Sequence, residues 1–364
     1  MRPLVPPYVE SLKPYVPGKP AADASRELGL PEVVKLASNE NPLGPSPRAV
    51  EAMRRAVEEV HLYPEGTSRE LTAAVARSLS VPPGQVFVGS GSNEVIELLI
   101  RTFTSAGDEA LLCRGSFLMY KVALQAHGRR FREVPMAPGF RYDLEAMAGS
   151  LTPATRLVFL ANPDNPTGTA FGRGALEGFL PRVPEDCLVV LDEAYFEYVA
   201  WPDYPNGLHY LARWPNLVVL RTFSKIHGLA GVRLGYGVMR PELVGYLHRT
   251  RMPFNVSNLA QAAGLGALSD PDHVRRTREL NLAELPRVRE GLLRLGLTVP
   301  ESHGNFVFAD LGRAAAPVAE ALLRRGLIVR PIPGYGFPQA LRISVGTPDA
   351  NRRLLGVMAE VLRG

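Results

Sequence analysis

The chain has 364 residues, of which 46% are hydrophobic and 21% charged, and its formal net charge is +5. At roughly 150 residues per domain the length predicts about two domains, and this composition excludes a generally disordered chain. The two cysteines, Cys113 and Cys187, form no closely spaced pair, which excludes a disulfide scaffold and a structural zinc site and indicates a reducing compartment, the cytoplasm. We expect no secretion signal and no membrane span, because the N-terminus lacks an apolar stretch and no run approaches 18 apolar residues.

Basic residues outnumber acidic ones, and the isoelectric point is about 9.3. The 36 arginines are scattered along the chain and do not form the short basic blocks that are typical of nucleic-acid-binding proteins. We therefore predict no nucleic-acid partner and interpret the charge as a diffusely basic surface or a preference for small anionic substrates. Only five residues are lysine, so each lysine is a candidate for chemistry in which the side chain must lose its proton.

The first 48 residues are rich in proline and predict an extended arm, a short helix at 21–28 and a loop at 38–45. A helix is predicted at 48–60, where apolar residues recur at helical spacing. From residue 85 short apolar runs alternate with helical stretches, which predicts an α/β layer with a mostly parallel sheet buried on both faces. The predicted strands are at 85–88, 110–113, 131–134, 156–160, 188–191, 217–220 and 235–239, and the helices are at 93–103, 119–126, 174–179 and 241–251.

The pattern changes after Pro253. A long helical region at 259–295 is followed by apolar runs at 305–309, 327–330 and 341–345. This order predicts a smaller α+β domain that the N-terminal segment completes. The predicted division is an N-terminal arm at 1–30, a large domain at 49–255, and a small domain made of 31–48 and 256–364.

A glycine-rich turn, VGSGSNE at 88–94, follows the first strand of the layer and opens a helix. Backbone N–H groups at the positive end of a helix suit a phosphate, and a tight connection capped by Ser92 or Asn93 is the alternative. The turn is not a dinucleotide-binding fingerprint, because Glu94 stands where the third glycine of that motif belongs. The chain also lacks the Gly-Lys-Ser/Thr of a P-loop.

Asp192 ends the apolar run in LVVLDEAY at 188–195. An acidic residue at the carboxyl end of a buried strand points into the crevice where open α/β sheets bind ligands. A magnesium ligand of a nucleotide hydrolase would need the missing P-loop. Two interpretations remain, a carboxylate that pairs with a cationic ligand atom such as a pyridinium nitrogen and a carboxylate that caps the next helix.

Lys225 ends the segment RTFSK at 221–225, again after an apolar run, and two hydroxyl residues precede it. A lysine that forms a Schiff base needs a desolvated cleft and a lowered pKa, and the end of a buried strand provides such a place. Arg233 follows eight residues later and, with the hydroxyls, suits a phosphate. The alternative for Lys225 is a solvated side chain.

A rigid turn with two prolines, NPDNPTG at 162–168, closes the run at 156–160. Its prolines fix the direction of the backbone, so an asparagine side chain presented there is well oriented. A turn without a functional role is the alternative.

These four segments, in this order, resemble those of the fold-type I, pyridoxal-phosphate-dependent aminotransferases. Further segments are similar to the histidinol-phosphate aminotransferase family, class II members of that group: LKPYVPGKP at 12–20, SNENP at 38–42, PFNV at 253–256, NFV at 305–307 and LRISVG at 341–346. The resemblance implies a large domain with a mostly parallel seven-stranded sheet between helices, a smaller α+β domain, and pyridoxal 5′-phosphate as the cofactor.

The resemblance also assigns roles to single residues. Lys225 would form the Schiff base with the cofactor and then transfer the proton, and Asp192 would keep the pyridine nitrogen protonated. Asn165 and Tyr195 would hydrogen-bond the phenolic oxygen of the ring, and Phe117 would stack on the ring. The residues that would seat the phosphate are Ser92, Asn93, Thr222, Ser224 and Arg233.

Two further residues bear on assembly and packing. By resemblance, Tyr63 reaches the phosphate of the cofactor in a neighbouring subunit, which implies a homodimer. His227 occupies a position where relatives often have an aromatic residue, and we interpret it as a packing substitution in preference to a catalytic group.

Arginines are expected to bind the substrates. Arg342 alternates with Leu341 and Ile343, so it lies on the opposite face of the predicted strand. By resemblance Arg342 binds the carboxylate of glutamate and, with Arg330, the phosphate of the second substrate, because a planar guanidinium suits either anion. Tyr15 and Asn39 are assigned to the substrate as well.

The implied reaction is a step of histidine biosynthesis and follows a ping-pong mechanism. It interconverts two pairs of compounds: L-histidinol phosphate plus 2-oxoglutarate, and imidazole-acetol phosphate plus L-glutamate.

Other functions stay open at this point. An aminotransferase for aromatic amino acids and a decarboxylase of a phosphorylated amino acid share the cofactor residues. A nicotinamide-dependent oxidoreductase is disfavoured, because the glycine motif it needs is broken at Glu94.

Overall fold

The structure is a computed structural model that describes residues 4–10, 12, 20–30 and 32–363. The helices are α1 (Pro7–Glu10), α2 (Ala21–Leu28), α3 (Pro47–Ala56), α4 (Arg69–Leu79), α5 (Ser92–Phe103), α6 (Leu118–Ala126), α7 (Leu144–Gly149), α8 (Arg173–Phe179), α9 (Pro241–Thr250), α10 (Asn258–Leu268), α11 (Pro271–Arg294), α12 (Ala315–Leu323) and α13 (Pro348–Arg363). The strands are β1 (Val34–Lys35), β2 (Val86–Gly89), β3 (Glu109–Cys113), β4 (Arg130–Val134), β5 (Thr155–Ala161), β6 (Leu188–Asp192), β7 (Leu217–Thr222), β8 (Gly235–Val238), β9 (Phe306–Asp310), β10 (Leu327–Ile328), β11 (Arg330–Ile332) and β12 (Phe337–Ser344).

Seven strands form one sheet in the order β2-β8-β7-β6-β5-β3-β4. Strand β8 runs antiparallel to both of its neighbours, and the other pairs are parallel. Alternate residues of the central strands enter two separate cores: Val190 packs with α5, α6 and α9, whereas Val189 packs with α7 and α8. A sheet covered by helices on both faces is what continuous apolar runs predict. The predicted α/β fold class is confirmed.

A smaller antiparallel sheet has the order β11-β12-β9, and the short strand β1 pairs in parallel with β10. Helices α11, α12 and α13 pack on these strands and bury a core of their own. The N-terminal strand β1 therefore pairs with a strand from the C-terminal part of the chain. The predicted domain boundaries remain a prediction.

Several predicted elements are wrong in extent. The helix expected at 259–295 is two helices, because Asp270 accepts a hydrogen bond from the backbone N–H of His273 and Pro271 occupies the first turn of α11. This cap starts a new helix and interrupts the old one. The run at 327–330 is divided between β10 and β11, the helix predicted at 48–60 becomes a 3₁₀ turn after Ala56, and α4 and α7 were not predicted.

The sheet register brings the motif-bearing strand ends together. Ala161 at the end of β5 pairs with Asp192 at the end of β6, and Asp192 pairs with Leu220 of β7. Gly235 of β8 pairs with both Thr222 and Gly89, so the glycine-rich turn lies beside the end of β7. The four motifs therefore meet at one edge of the sheet. Among the described residues, no helix combines the length and the apolar character needed to cross a membrane.

Candidate active site

A cavity at this edge of the sheet brings together the ten residues predicted to contact the cofactor from within one chain. They are Ser92, Asn93, Phe117, Asn165, Asp192, Tyr195, Thr222, Ser224, Lys225 and Arg233. The rest of the lining is small or rigid, and consists of Ala161, Pro163, Ala194 and Ala230. Side chains from five separate segments thus converge because the strands that carry them end at the same edge.

Lys225 is the amine of the cavity. Its Nζ donates a hydrogen bond to the carbonyl oxygen of Ser38 at 3.2 Å and lies 5.7 Å from the centre of the Tyr195 ring. Burial, and then the positive charges of Arg342 and Arg233, lower the pKa of Lys225 to about 7. A neutral amine is therefore available near neutral pH, which nucleophilic attack on a carbonyl requires.

Asp192 is the buried carboxylate of the cavity. Its Oδ2 accepts a hydrogen bond from the Tyr120 hydroxyl at 2.7 Å, and its Oδ1 accepts one from the backbone N–H of Ala194 at 3.1 Å. Burial raises the pKa of Asp192 to about 6, although both hydrogen bonds act in the opposite direction. A cationic partner stabilises the charged form of a buried carboxylate such as this one. Asp192 lines the cavity, and it does not cap the next helical turn, Phe196–Tyr198, which has no side-chain cap.

Tyr120 is a site residue that the sequence analysis missed. It lies in the first turn of α6, three residues after Phe117, and its ring stacks on Phe159 with 4.6 Å between ring centres. The spacing to Phe117 was a signal that the two aromatic residues share a helix turn. It did not reveal that the hydroxyl reaches the end of β6, because that depends on how α6 packs on the sheet.

Asn165 and Tyr195 both line the cavity, and each accepts a hydrogen bond from a residue outside the lining. The side-chain oxygen of Asn165 accepts a 2.7 Å hydrogen bond from Nη1 of Arg342. The hydroxyl oxygen of Tyr195 accepts a 2.9 Å hydrogen bond from Nδ2 of Asn39. Each residue keeps a donor, an amide N–H or a hydroxyl hydrogen, for an acceptor in the cavity.

One group of lining residues suits an anion. Ser92 and Asn93 open α5, and the first backbone N–H groups of a helix have no partner within that helix. Gly91 has φ +83°, and a Cβ at this position would lie 2.7 Å from Nη2 of Arg233, so only glycine lets the guanidinium approach the turn. Arg233 itself has φ +61° and donates to the carbonyl oxygen of Ala230 at 3.0 Å. We call Ser92, Asn93, Thr222, Ser224 and Arg233 the anion seat.

A buried ion pair stabilises the strand ends behind the anion seat. Nη2 of Arg221 lies 2.7 Å from Oε2 of Glu193, and both side chains are almost fully buried. Arg221 directly precedes Thr222, whose Oγ1 accepts a hydrogen bond from the backbone N–H of Ser224 at 3.0 Å. The pair thus links the ends of β6 and β7, the two strands that supply Asp192 and Thr222.

A third buried carboxyl group, missed in the sequence, supports the turn that carries Asn165. Oδ1 of Asp164 accepts a hydrogen bond from the Ser116 hydroxyl at 2.6 Å, and Oδ2 accepts one from the Thr167 hydroxyl at 2.8 Å. Burial raises the pKa of Asp164 to about 6. Because Ser116 precedes Phe117, Asp164 connects the loop of the aromatic residue to the turn of Asn165.

Of the residues predicted to bind substrate, the structure describes Arg342, Arg330 and Asn39, and none of these three is in the cavity lining. Arg342 is buried, donates from Nη2 to the carbonyl oxygen of Ala37 at 2.7 Å, and has a buried Nε without a hydrogen-bond partner among the described residues. Arg330 pairs with Arg342 in the β11–β12 register, so the two arginines are neighbours. Asn39 is buried in a left-handed conformation, φ +55°, and its backbone N–H donates to the Ser344 hydroxyl at 2.8 Å.

Three remaining predictions fall elsewhere. Tyr63 lies outside the cavity, is 83% exposed, and stacks on Phe254 with 4.7 Å between ring centres. His227 packs against Phe223 at 4.9 Å and does not line the cavity, and burial lowers its pKa to about 4. Its position fits a packing role. Tyr15 lies outside the described residues.

Comparison with known proteins gives one consistent result. The family described as aminotransferase class I and II matches residues 31–358. The histidinol-phosphate aminotransferase of Anaeromyxobacter sp. (strain Fw109-5) is 55% identical over 361 residues, 99% of each protein. Histidinol-phosphate aminotransferase 2 of Pseudomonas aeruginosa is 48% identical over 361 residues, 99% of this chain and 98% of that protein.

A solved structure agrees with these matches. The crystal structure of histidinol-phosphate aminotransferase from Sinorhizobium meliloti, in complex with pyridoxal-5′-phosphate, matches this fold with a TM-score of 0.90 at 28% identity. The match covers 100% of this chain and 98% of that one. The resemblance found in the sequence is confirmed.

Proposed function

The chain belongs to the class I and II aminotransferase family, and from this premise we propose that it is a histidinol-phosphate aminotransferase that uses pyridoxal 5′-phosphate. It transfers the amino group between L-histidinol phosphate and 2-oxoglutarate, giving imidazole-acetol phosphate and L-glutamate. The observation that carries this proposal is the likeness, over almost the full length, to proteins of that name. Within the described part of the chain no contact favours the aromatic aminotransferase or the decarboxylase, and the broken glycine motif disfavours the oxidoreductase.

The chemistry of the cavity fits this cofactor. The anion seat offers hydroxyls, helix N–H groups and a guanidinium to a phosphate, and among the described residues Arg233 takes part in no ion pair. Asp192 offers a buried carboxylate to a pyridinium nitrogen, and Phe117 offers an aromatic face to a ring. Lys225 supplies the amine with a lowered pKa. These residue types, together in one cavity, support pyridoxal phosphate as the group that they hold.

The cofactor, when bound, supplies an aldehyde that exchanges with amino groups and a ring that accepts electrons from the substrate Cα. Lys225 would hold the cofactor through its Nζ. Once the amino group of the substrate has replaced it, the freed amine, with a pKa near neutrality, would move a proton between the substrate Cα and the aldehyde carbon of the cofactor. Asp192 holds negative charge at the ring nitrogen, and Tyr120 keeps that carboxylate oriented through its 2.7 Å hydrogen bond. Asn165 and Tyr195 donate to the ring oxygen and orient the ring.

Arg342 and Arg330 are proposed to bind the acidic groups of both substrates. They are neighbours across β11 and β12, and Arg342 contacts the cavity residue Asn165. A guanidinium binds a carboxylate or a phosphate through two parallel hydrogen bonds. One pair of arginines can therefore serve glutamate in one half-reaction and a phosphate ester in the other.

We also propose that the enzyme is a homodimer in the cytoplasm. Tyr63 and Phe254 stack on each other yet remain exposed, and Leu62 and Met252 beside them are 57% and 67% exposed. An apolar cluster of this kind is typical of a surface that another chain covers. A second copy that covers it would also bring Tyr63 towards the neighbouring site, as the family resemblance implies. The two cysteines are unpaired, which fits a reducing compartment.

A direct assay tests the proposed function. With 2-oxoglutarate as acceptor, kcat/KM for L-histidinol phosphate should exceed that for L-phenylalanine and L-tyrosine. The purified enzyme should absorb at about 410–430 nm, the range of a lysine-bound pyridoxal group, and borohydride should abolish this band. A higher kcat/KM for phenylalanine would favour the aromatic aminotransferase, and an enzyme that never binds the cofactor would refute the proposal altogether.

A further inference from the structure

Glu94 is an acidic residue in the first turn of α5, beside the anion seat, and the reaction as described gives it no role. We propose that Glu94 is a positioning residue that holds the turn at 89–92 in its phosphate-binding shape and ties this turn to the loop that carries Phe254. The inference rests on the proposed function, since it concerns the phosphate of the cofactor.

The first observation is the contact between Glu94 and the turn. Its Oε2 accepts a hydrogen bond from the backbone N–H of Ser90, within the turn itself. The carboxylate folds back so closely that a Cβ on Gly89 would lie 3.0 Å from Oε2. A side chain three residues inside a helix that returns to bond the backbone before it fixes the entry of the chain into that helix.

The second observation is a contact made by the same oxygen. Oε2 of Glu94 also accepts a 2.8 Å hydrogen bond from Nδ2 of Asn255, and Oδ1 of Asn255 accepts one from Nη1 of Arg251 at 3.0 Å. The residue before Asn255 is Phe254, which has a left-handed φ of +56° and stacks on Tyr63. One carboxylate oxygen therefore bonds both the glycine-rich turn and the residue that follows Phe254.

The negative charge of Glu94 does not by itself favour a bound phosphate. A carboxylate near a bound phosphate repels it, so the charge of Glu94 by itself weakens cofactor binding. The gain must come from the shape of the turn, which aligns the N–H groups of α5. Removing only the charge and removing the hydrogen-bond acceptor should consequently have opposite effects on cofactor affinity.

The test compares two cofactor forms that differ only in the phosphate. Apoprotein is titrated with pyridoxal 5′-phosphate and with pyridoxal, and binding is followed by the absorbance of the lysine adduct. For Glu94→Ala we expect the dissociation constant of pyridoxal phosphate to rise roughly tenfold or more, the loss that follows when two charge-assisted hydrogen bonds disappear, while the constant for pyridoxal changes less than threefold. Glu94→Gln keeps an oxygen acceptor for both donors and should bind pyridoxal phosphate at least as tightly as the wild type.

Two further variants keep the test decisive. Glu97→Ala removes the same charge one turn further along α5, where the side chain is 61% exposed and lies 3.4 Å from His127, and it should leave both constants unchanged. Asn255→Ala removes one of the two hydrogen bonds and should weaken pyridoxal phosphate by a smaller factor, again without an effect on pyridoxal. If Glu94→Ala proves unstable, Asn255→Ala still tests the link.

The outcomes separate the two proposals. Equal weakening of both ligands by Glu94→Ala, or tighter binding of pyridoxal phosphate, would overturn the role of Glu94 and leave the proposed function intact. Failure of wild-type apoprotein to bind pyridoxal phosphate at all would refute the proposed function instead.

Discussion

Arg342 donates a 2.7 Å hydrogen bond from Nη1 to the side-chain oxygen of Asn165, across a separation of 177 residues. The residue expected to bind substrate and a residue expected to bind the ring of the cofactor thus contact each other directly. Because a guanidinium only donates, this contact turns the amide oxygen of Asn165 towards Arg342 and leaves Nδ2 as the donor for another acceptor. Changes at Arg342 should therefore affect the cofactor side of the site as well as substrate binding.

Lys225→Ala should abolish turnover and still allow the cofactor to bind without a covalent bond, because no other amine lines the cavity among the described residues. We expect kcat to fall more than 100-fold, a loss above about 2.7 kcal/mol. Lys121→Ala is the matched control, since Lys121 pairs with Glu133 at 3.1 Å outside the cavity, and it should retain wild-type kcat. Retention of more than about a hundredth of kcat in Lys225→Ala would remove Lys225 from its role.

The lowered pKa of Lys225 also makes a kinetic prediction for the apoprotein. The rate at which Lys225 captures pyridoxal should rise with pH with a midpoint near pH 7, since only the neutral amine attacks a carbonyl. Stopped-flow absorbance between pH 5.5 and 9 measures this rate. A midpoint near 10 would show that the side chain is as well hydrated as an ordinary surface lysine.

Asp192→Asn should lower kcat far more than it changes KM, because the charge acts on the ring in the transition state and not on the substrate in the ground state. Steady-state kinetics with histidinol phosphate tests this expectation. An unchanged kcat would mean that Asp192 serves only to hold the backbone at Ala194 through its hydrogen bond.

The same substitution makes a prediction about stability. Burial raises the folded-state pKa of Asp192 to about 6, so between pH 4 and 6 this carboxyl group binds more protons in the folded apoprotein than in the unfolded chain, and its contribution to stability falls as the pH rises. An asparagine side chain does not titrate, so the Tm of Asp192→Asn relative to wild type should rise over this range, by the equivalent of roughly 2 kcal/mol. Calorimetry of both apoproteins at pH 4.5, 5.5 and 7 measures the difference, and a constant difference would contradict the raised pKa.

Tyr120→Phe removes the hydroxyl that bonds Asp192 and keeps the ring that stacks on Phe159. A hydrogen bond to a charged group contributes about 1.5–3 kcal/mol, so we expect kcat to fall roughly tenfold or more while KM changes little. Because this bond lowers the pKa of Asp192, the acidic limb of the pH–kcat profile should also move to higher pH. An unaltered profile would show that the orientation of Asp192 does not depend on Tyr120.

Arg330 and Arg342 should differ in substrate dependence. Arg330→Ala should lower kcat/KM for histidinol phosphate tenfold or more, as expected for a lost charge-assisted hydrogen bond, and affect glutamate less. Arg342→Ala should damage both half-reactions, in part through Asn165. Equally small effects of Arg330→Ala on histidinol phosphate, glutamate and phenylalanine would refute the phosphate assignment and favour an aromatic substrate.

Local patterns in the sequence were sufficient to predict the strands of the seven-stranded sheet and the sheet edge at which the site residues lie. Each predicted strand of the seven-stranded sheet overlaps an observed one, because apolar runs between helical stretches reflect burial on both faces. The motifs stand at the carboxyl ends of strands, and neighbouring parallel strands end at the same edge, so ten predicted residues line one cavity. The break at Asp270 was missed because its cap competes with a continuous helical pattern on both sides.

The contacts that orient the site were decided only by the tertiary structure. Tyr120 reaches Asp192 across 72 residues, Ser116 reaches Asp164 across 48, and Asn255 reaches Glu94 across 161. No spacing along the chain encodes such pairs, since each depends on the angle at which a helix or loop packs on the sheet. Residue type and strand position are local properties, whereas the direction in which a hydroxyl or an amide donates is set by its packed surroundings. The sequence alone therefore determined which residues meet at the sheet edge, and the fold determined how each is held there.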